Sequence, residues 1–525
     1  MFGKVYSVTL LGIDGFLVQV ESDIADGLPS FDMVGIPCSE VREARERVRT
    51  AFRNSGIFVP PKRITVNLSP ADIRKRGSGF DLPIAVSILA AMELFPYDIW
   101  EDLCTNSMFC GELSLDGSIC GVNGILPSVL CARDHGLRRC FIPAENVSEA
   151  ACIQGIDIIA VTSLSELIRI LQSPALLEES VILPLQWSSS PGEYSNDFQE
   201  IKGQGTARRA IEVAAAGMHN LLLSGPPGSG KSMLARCIPS IMPPLTYEES
   251  LEITKIYSIC GLLKPGSGLL QTRPFRSPHH TASTSALAGG GLYPVPGEIS
   301  LADRGVLFLD ELPEYSRKTL EVLRQPMEDQ KVFISRLHGR YEFPAHTMIC
   351  AAMNPCPCGY YPDPHQCTCT SWEVERYHSR ISGPLLDRID IAIEVLPLNK
   401  EELRSPSILN EPSASIRSRI IAAHKIQQER FKDTDIYFNA QMSSAMTSEF
   451  CLIDPDAEQL LDSCLNHHQL TTRGYYKLLK TARTIADLAE SERILSTHLA
   501  EAFSYRSKTA FFHQKTASGK TKASR

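Results

Sequence analysis

A glycine-rich stretch between two regular elements is the part of the sequence best suited to chemistry. Glycines let backbone N–H groups approach phosphate oxygens, and a helix predicted from Met233 adds the partial positive charge of its N-terminus. Lys231 can reach the β- and γ-phosphates of a nucleoside triphosphate, and the Ser232 hydroxyl can ligate Mg²⁺. The sequence therefore predicts a phosphate loop that follows a strand at Leu221–Leu223. The loop reads Gly225-Pro226-Pro227-Gly228-Ser229-Gly230-Lys231-Ser232.

Two acidic residues end an apolar run further along the chain. Val306–Leu309 has the composition of a buried strand, which would deliver Asp310 and Glu311 to its carboxyl end. Asp310 can hold Mg²⁺ through water, and Glu311 can polarise a water molecule that attacks the γ-phosphate. Because this run lies roughly 80 residues beyond a phosphate loop, a nucleotide site is favoured over an ordinary helix cap.

Three further polar residues are candidates for the same site. Asn354 follows the apolar run Ile349–Met353 and can orient the attacking water. Arg388 lies at the end of an element, and Arg473 opens a later helix. A guanidinium suits a phosphate because its planar fork stays charged and bonds in a bidentate manner. Surface ion pairs are the alternative for both arginines.

Four cysteines form a compact pattern, C-x-C-x₈-C-x-C. Four thiolates in a short loop can hold a tetrahedral Zn²⁺ ion. This spacing differs from the commoner C-x₂-C arrangement, so unligated thiols and transient disulfides remain the alternatives. The four residues are Cys356, Cys358, Cys367 and Cys369.

Two loop segments carry residues that can contact phosphate groups, and the family resemblance described below makes them candidate DNA loops. Ser277–Gly297 is rich in Gly, Pro, His and Thr and includes His279 and His280. Val332–Phe343 is predicted to form a hairpin with basic residues near its tip. Such loops can bind phosphates without reading bases; an ordinary solvated hairpin is the alternative. The basic residues are Arg336, His338 and Arg340.

Composition limits the class of protein. The chain has 525 residues, 43% of them hydrophobic, and a net charge of −8. This length favours about three domains, and the negative charge confines nucleic-acid contact to local basic loops. We find no apolar run long enough to span a membrane and no signal peptide, so we expect a cytoplasmic protein. The 16 cysteines are then expected to be reduced.

The fold class is predicted to be α/β, with an additional all-helical part. We expect a mixed α/β domain at 1–172, a linker at 173–196 rich in Pro, Ser and Gly, and a nucleotide-binding domain at 197–398. A helical domain at 399–505 and a basic, disordered tail at 506–525 follow. Resemblance to the ATPases described below implies that Ile201 and Gln204 contact the nucleotide base. The helices of the fourth segment are predicted at 413–431, 454–466, 473–491 and 496–505.

The first domain resembles the Lon-protease-like (S5-type) α/β fold, notably over Gly111–Asn146. The Lon protease needs a Ser–Lys dyad. The serine position falls near Gly79, and the lysine region Gly124–Ser128 contains no lysine. Without an amine to accept its proton a serine hydroxyl is a poor nucleophile, so the resemblance implies a non-proteolytic relative.

The order of the nucleotide motifs resembles that of AAA+ ATPases, and longer motifs resemble the ComM/YifB family of magnesium-chelatase-like bacterial proteins. The resemblance implies a hexameric ATPase with a helical lid, a branch-migration helicase that extends strand exchange in natural transformation or recombination. It implies single-stranded or branched DNA as partner, with recombinase proteins as further candidates. Asn354 would be the first sensor, Arg388 the finger that reaches the neighbouring subunit's ATP, and Arg473 the second sensor. The motifs are Phe275–Tyr315, Ala351–Gly359, Ser382–Asp390 and Arg473–Leu488.

Two other functions compete with a DNA motor. The ATPase motifs fit the motor subunit of a metal chelatase equally well, although the Lon-like front domain and the cysteine loop favour the DNA motor. An ATP-dependent protease or unfoldase is disfavoured by the missing dyad.

Overall fold

The computed structural model describes residues 2–95, 97–185, 187, 192, 194–264, 266–336, 339–398, 410–468 and 471–506. The chain divides into two compact units. The first comprises Met1–Ser189 with Thr246–Leu270, and the second comprises Ser190–Leu245 with Gln271–Arg525. None of the helices in the described ranges has the length and apolar character needed to cross a membrane. The basic tail predicted at 506–525 falls almost entirely outside the described residues.

The first unit is built on an eight-stranded mixed sheet with the order β10-β9-β8-β5-β1-β2-β4-β3. Its strands are β1 Phe2–Leu11, β2 Asp14–Ala25, β3 Ser30–Val34, β4 Arg63–Ser69, β5 Ser107–Phe109, β6 Glu112–Leu113, β7 Ile119–Cys120, β8 Arg139–Pro143, β9 Asp157–Val161 and β10 Val181–Ile182, of which β6 and β7 form a separate small ladder. Its first helices are α1 Ser39–Asn54, α2 Asp81–Ala91, α3 Tyr97–Asn106, α4 Ile125–Asp134, α5 Val147–Ala150, α6 Leu164–Gln172 and α7 Pro174–Glu179.

Helix α2 lies at the centre of this unit. Its apolar composition on every side predicts full burial, and every residue from Asp81 to Ala91 is buried. The one charged residue among them, Asp81, receives two hydrogen bonds from the Arg47 guanidinium at 2.6 and 2.9 Å. A buried carboxylate needs such a partner. Burial nonetheless raises the pKa of Asp81.

The predicted linker at 173–196 begins with ordered structure. Ser173 caps α7, accepting a hydrogen bond from Leu176 N, and Pro174 occupies the first turn. Leu177 is then buried, and β10 pairs with β9 in antiparallel orientation. Capping and strand pairing therefore attach the first half of this segment to the first unit.

The second unit contains a five-stranded parallel sheet with the order β12-β15-β18-β11-β19. Its strands and two small ladders are β11 Leu221–Ser224, β12 Phe275–Arg276, β13 Gly289–Gly290, β14 Val295–Pro296, β15 Val306–Leu309, β16 Lys331–Arg336, β17 Gly339–Pro344, β18 Met348–Met353 and β19 Ile391–Glu394. The accompanying helices are α8 Gly205–Gly217, α9 Lys231–Ile241, α11 Thr284–Ala288, α12 Glu298–Leu301, α13 Arg317–Val322, α14 Pro326–Asp329, α15 Ser371–His378 and α16 Gly383–Leu386, whereas α10 Tyr247–Ile259 follows α9 in the chain but lies in the first unit.

Helix α10 belongs to the first unit although the chain reaches it from the second. The Tyr247 hydroxyl donates to Cys152 O at 3.0 Å, and the Ser258 hydroxyl donates to Glu149 Oε2 at 2.6 Å. We expected 197–398 to form one continuous domain. The structure divides the segment differently, because α10 carries Tyr247 and Leu251 into the apolar cluster around α4.

The C-terminal helices share a core with the parallel sheet. They are α17 Ser413–Arg430, α18 Ser444–Phe450, α19 Pro455–His468, α20 Thr472–Leu488 and α21 Ser496–Ser504. Four of the five match predicted helices within a few residues. Their apolar faces join those of α8, α9, β11 and β18 in one cluster, so this part of the chain packs continuously against the sheet.

Candidate functional site

The predicted strand, loop and helix of the phosphate loop are all present. Strand β11 lies inside the parallel sheet between β18 and β19, and α9 begins at Lys231. Gly228 and Gly230 adopt φ values of +74° and +93° with open space at their missing Cβ positions. Side-chain-bearing residues rarely adopt this conformation, so these two glycines let the loop turn toward the start of α9.

Lys231 is held inside the loop. Its Nζ donates to Gly225 O at 2.7 Å, to Pro226 O at 2.8 Å and to Asn354 Oδ1 at 3.2 Å. The residue is 8% exposed, and burial lowers the pKa of Lys231 while the charge of Asp310 opposes this effect. The ammonium group therefore sits between the loop and the end of β18, where it would meet phosphate oxygens.

The second motif meets the first at the carboxyl edge of the sheet. Strand β15 is fully buried and ends directly before Asp310. The Ser232 hydroxyl donates to Asp310 Oδ2 at 2.8 Å. A hydroxyl and a carboxylate oxygen in contact are the hard ligands that Mg²⁺ prefers, so the arrangement fits this ion.

Glu311 has a left-handed backbone, with φ +51°. Its N–H donates to Asp310 Oδ1 at 2.9 Å, and its side chain is 53% exposed. A non-glycine residue in this region is uncommon, and backbone strain of this kind tends to cluster at functional sites. Its Oε2 lies 3.1 Å from Nδ1 of His280, a residue that we predicted to contact DNA. The candidate DNA loop therefore touches the candidate water-polarising carboxylate.

Asn354 directly follows β18, as predicted, and its amide oxygen accepts the Lys231 bond. Strand β18 is buried at every position because it lies between β15 and β11. The sheet thus brings three separated motifs to one edge, as its parallel topology requires.

Arg388 and Arg473 converge on one carboxylate that the sequence analysis did not identify. Arg388 Nη2 lies 2.7 Å from Glu328 Oε2, and Arg473 Nη2 lies 2.7 Å from Glu328 Oε1. The Arg388 side chain is 7% exposed and that of Arg473 is 55% exposed. Nothing in the local sequence of Glu328 distinguishes it from an ordinary surface residue of a short helix.

The two candidate base contacts differ in environment. Ile201 is buried, while Gln204 Nε2 donates to Leu396 O at 2.6 Å and to Ser229 O at 3.4 Å. Gln204 therefore fastens the segment before α8 to the phosphate loop itself.

The four cysteines form a compact cluster, with all four sulfurs within 4.8 Å of one another. Cys356 Sγ lies 3.3 Å from Cys358 Sγ and 3.8 Å from Cys367 Sγ, and the latter two are 3.6 Å apart. Sulfurs at tetrahedral zinc are about 3.8 Å apart, so the cluster fits this ion. The backbone N–H of Tyr360 is the main cause that lowers the pKa of Cys358 to about 6.

The cysteine loop packs against the phosphate loop. A Cβ added to Gly359, whose φ is +90°, would lie 2.5 Å from Pro227 Cδ. Only glycine permits this approach. The loop also follows directly after Asn354, so its conformation affects the positions of both Pro227 and Asn354.

The predicted hairpin is confirmed as β16 and β17, paired in register from Lys331 opposite Pro344 to Arg336 opposite Gly339. The Arg336 Nε donates to Gly291 O at 3.2 Å, and the Arg340 guanidinium lies 4.2 Å from the centre of the Phe333 ring. The two candidate DNA loops therefore contact each other. His338 lies outside the described residues.

The predicted remnant of the protease site contains no dyad. Gly79 lies in a short turn before α2, where an added Cβ would come within 2.8 Å of Cys110 Sγ. The Ser128 hydroxyl is buried and donates to Gly124 O at 2.7 Å.

Comparison with known proteins covers nearly the whole chain. Family profiles match three successive parts, described as "Subunit ChlI of Mg-chelatase" at 20–146, "Magnesium chelatase, subunit ChlI" at 197–403 and "Magnesium chelatase, subunit ChlI C-terminal" at 410–506. Competence protein ComM of Haemophilus influenzae is 40% identical over 503 residues, 96% of this chain and 97% of that protein.

Two other relatives add context. Uncharacterized protein YifB of Escherichia coli is 40% identical over 507 residues, 96% of each chain. Lon protease 2 of Bacillus subtilis is 30% identical over 131 residues, 25% of this chain and 22% of that protein.

Proposed function

Because this chain belongs to the ComM/YifB family of magnesium-chelatase-like proteins, we propose that it is an ATP-driven AAA+ motor that moves DNA as a hexamer. The proposed ATPase activity is supported by one observation, which is that separate sequence motifs meet at one edge of the parallel sheet. Ser232 bonds Asp310 at 2.8 Å, and Lys231 bonds Asn354 at 3.2 Å. The name of the relative Competence protein ComM supports a role in competence, and we propose that this role is natural transformation.

The chain's own residues divide the work on ATP. Amides of the phosphate loop and Lys231 bind the triphosphate, and Ser232 and Asp310 would hold Mg²⁺. When bound, the ion would supply positive charge that offsets the charge of the triphosphate. Glu311 accepts a proton from the attacking water, and Asn354 orients that water.

In the proposed hexamer, each ATP site is shared between two copies of the chain. In this proposal Arg388 acts on ATP held by a neighbouring subunit, and Arg473 joins it there or senses its own nucleotide through the helical lid. A guanidinium stabilises charge that develops on the transferred phosphoryl group.

DNA would be held by the two contacting loops, the hairpin β16–β17 and the insertion Ser277–Gly297. Arg336 and Arg340 bind phosphates in this proposal, and His279 adds a further contact. The His280–Glu311 contact at 3.1 Å supports communication between DNA and the hydrolysing site.

We further propose that the cysteine cluster holds a structural Zn²⁺ ion that shapes the loop against Pro227. The supporting observation is the set of Sγ–Sγ distances between 3.3 and 3.8 Å. No catalytic role is assigned to this ion, since its four protein ligands would complete the tetrahedron.

The testing experiment is the ATPase rate with and without DNA. We expect single-stranded or forked DNA to stimulate hydrolysis by the full chain, and we expect forked junctions to be unwound or migrated only with ATP. A rate that DNA leaves unchanged, measured at low salt where phosphate contacts are strongest, would contradict the proposed substrate.

The alternative is a motor subunit of a metal chelatase. The descriptions of all three matching profiles favour it, including the one that covers 20–146. The same ATPase assay separates the two functions, because a chelatase motor would respond to its porphyrin-binding partner subunits and not to DNA.

A further inference from the structure

Glu328 holds two arginines that come from distant parts of the chain. Its two carboxylate oxygens each lie 2.7 Å from a guanidinium nitrogen, one of Arg388 and one of Arg473. The carboxylate is 42% exposed. An ion pair that is open to water on one side contributes little net free energy, so a stronger anion can displace it.

The Arg388 guanidinium is incompletely satisfied in this arrangement. Its Nη1 donates to Pro384 O at 2.6 Å, while its Nε is buried and finds no acceptor among the described residues. A buried N–H without an acceptor costs free energy. A phosphate group offers three charged oxygens, which can serve both the fork and such an additional donor.

Glu328 is also joined to the candidate DNA hairpin. It lies in α14, and β16 begins at Lys331 after a single left-handed residue, Gln330. The Gln330 carbonyl accepts a hydrogen bond from Ala345 N at 2.9 Å, which closes the base of the hairpin. A displacement of Glu328 therefore acts directly on that base.

We propose that Glu328 is the resting ligand of Arg388 and Arg473, and that the γ-phosphate of ATP bound by a second copy of this chain displaces it. The exchange replaces one anion at the guanidinium groups with another and breaks no covalent bond. Freed from the arginines, Glu328 releases the base of the hairpin, so that nucleotide contact at the subunit boundary repositions the DNA loop. This inference rests on the proposed motor function.

Glu328→Gln tests the exchange because it keeps the size of the side chain and removes its charge. We expect the KM for ATP to fall about threefold to tenfold, since the phosphate no longer competes with a carboxylate. We also expect DNA stimulation of the ATPase to weaken, because the hairpin is no longer coupled to the arginines. Glu328→Asp retains the charge and should restore a KM near that of the wild type.

Glu321→Gln is the matched control. Glu321 lies in the neighbouring helix and pairs with Arg324 at 2.6 Å. Its replacement removes the same charge from the same region without touching either arginine. We expect its KM and its DNA response to equal those of the wild type.

The possible outcomes separate this inference from the proposed function. An unchanged KM in Glu328→Gln, or a lower kcat at unchanged KM, would overturn the displacement and leave the motor intact, provided that Arg388→Ala still abolishes hydrolysis. A wild-type chain without ATPase activity, or one unaffected by Arg388→Ala, would overturn the motor itself and the displacement with it.

Discussion

Glu311 is the residue on which hydrolysis is expected to depend, and its contact with His280 sets a testable limit on its reactivity. One carboxylate oxygen lies 3.1 Å from the imidazole. A general base must direct its oxygen at the attacking water, and an oxygen engaged by His280 is less available. The histidine is therefore expected to restrain the basal ATPase.

We predict that His280→Ala raises the ATPase rate without DNA about twofold to fivefold, the range that corresponds to loss of one weak contact. The measurement is steady-state phosphate release by the full chain. His279→Ala is the matched control, because the His279 ring packs 4.1 Å from that of His280 and bonds Thr281 at 2.8 Å, whereas among the described contacts the ion pair to Glu311 belongs to His280. Glu311→Gln should remove about 100-fold or more of the activity. A slower His280→Ala enzyme would show that the imidazole assists hydrolysis instead.

Sequence reasoning found residues whose chemistry is encoded locally. The phosphate loop, Asp310, Glu311 and Asn354 each follow an apolar strand, so their shared sheet edge could be predicted. The role of Glu328 and the contact between His280 and Glu311 could not be predicted, because both arise from tertiary contact. A single glutamate before a hairpin, such as Glu328, belongs to no sequence motif that would predict its contacts.

At the scale of elements, the hairpin β16–β17 presents the most direct test of DNA binding. Arg336 and Arg340 occupy its end, with Ser335 opposite Arg340 in the ladder. We predict that the Arg336→Ala, Arg340→Ala double variant loses DNA affinity nearly uniformly across sequences, since phosphate contacts carry no base information.

Fluorescence anisotropy with labelled single strands at several salt concentrations measures this loss. The salt dependence should become shallower by about two phosphate contacts. ATP binding should persist, because neither arginine contacts the phosphate loop in the described structure. Wild-type affinity and salt slope in the double variant would assign DNA binding to another surface.

The cysteine cluster makes a second element-scale prediction. We expect about one zinc ion per chain in purified protein, by elemental analysis. Cys367→Ser should lower that content and slow ATP hydrolysis, because Gly359 of the same loop packs on Pro227. Cys260→Ser, which changes a cysteine outside the cluster, should leave both quantities unchanged. Zinc far below one equivalent in protein prepared without chelators would contradict the prediction.

The prediction of elements succeeded where periodicity is strong. Helix α20 was predicted at 473–491 and is observed at Thr472–Leu488, and its buried residues Leu478, Leu479, Ala482 and Ile485 recur at helical spacing. The sequence analysis did not predict that α10 packs in the first unit, because the pattern of a helix does not indicate which hydrophobic core it joins. Helices as short as α18 carry too little periodicity to be recognised.

For the second unit as a whole, a buried histidine couples stability to pH. His219 is fully buried, and its Nε2 donates to the Thr484 hydroxyl at 2.8 Å, a hydroxyl that itself donates to Lys480 O. Burial is the main cause that lowers the pKa of His219 from 6.5 to about 4, with Asp390 opposing it and Lys480 and Lys477 adding to it.

In the unfolded chain His219 takes up a proton near pH 6.5, whereas in the folded chain it does so only near pH 4. Neutral His219 therefore leaves the free energy of unfolding at its full value above pH 6.5, and that free energy declines as the pH falls toward 4. The gap corresponds to about 3 kcal/mol. We predict that His219→Gln flattens the pH dependence of the urea midpoint in this window, whereas replacement of the exposed His279 by Gln leaves it as in the wild type. If the urea midpoints of His219→Gln and the wild type changed equally with pH between 6.5 and 4, the prediction would be wrong.

The whole assembly is addressed by mixing two inactive variants. In the proposed motor each site takes Lys231 from one copy and Arg388 from the next, which makes the contact heterologous and able to close a ring. Lys231→Ala and Arg388→Ala should therefore each abolish hydrolysis when assembled alone. Mixed in equal amounts, they should recover about a quarter of the wild-type rate, since one random pairing in four joins an intact lysine to an intact arginine.

Recovery requires subunit exchange, so the mixture should be assembled from separated subunits before ATP is added, with native mass spectrometry to verify mixed rings. The matched control mixes Lys231→Ala with Glu311→Gln. Both of these changes lie on the lysine side of the site, so every pairing lacks one of the two functions and no activity should return. Mixed rings that stay inactive in the first combination would mean that the arginine and the phosphate loop act within one chain, and a site shared between copies would have to be abandoned.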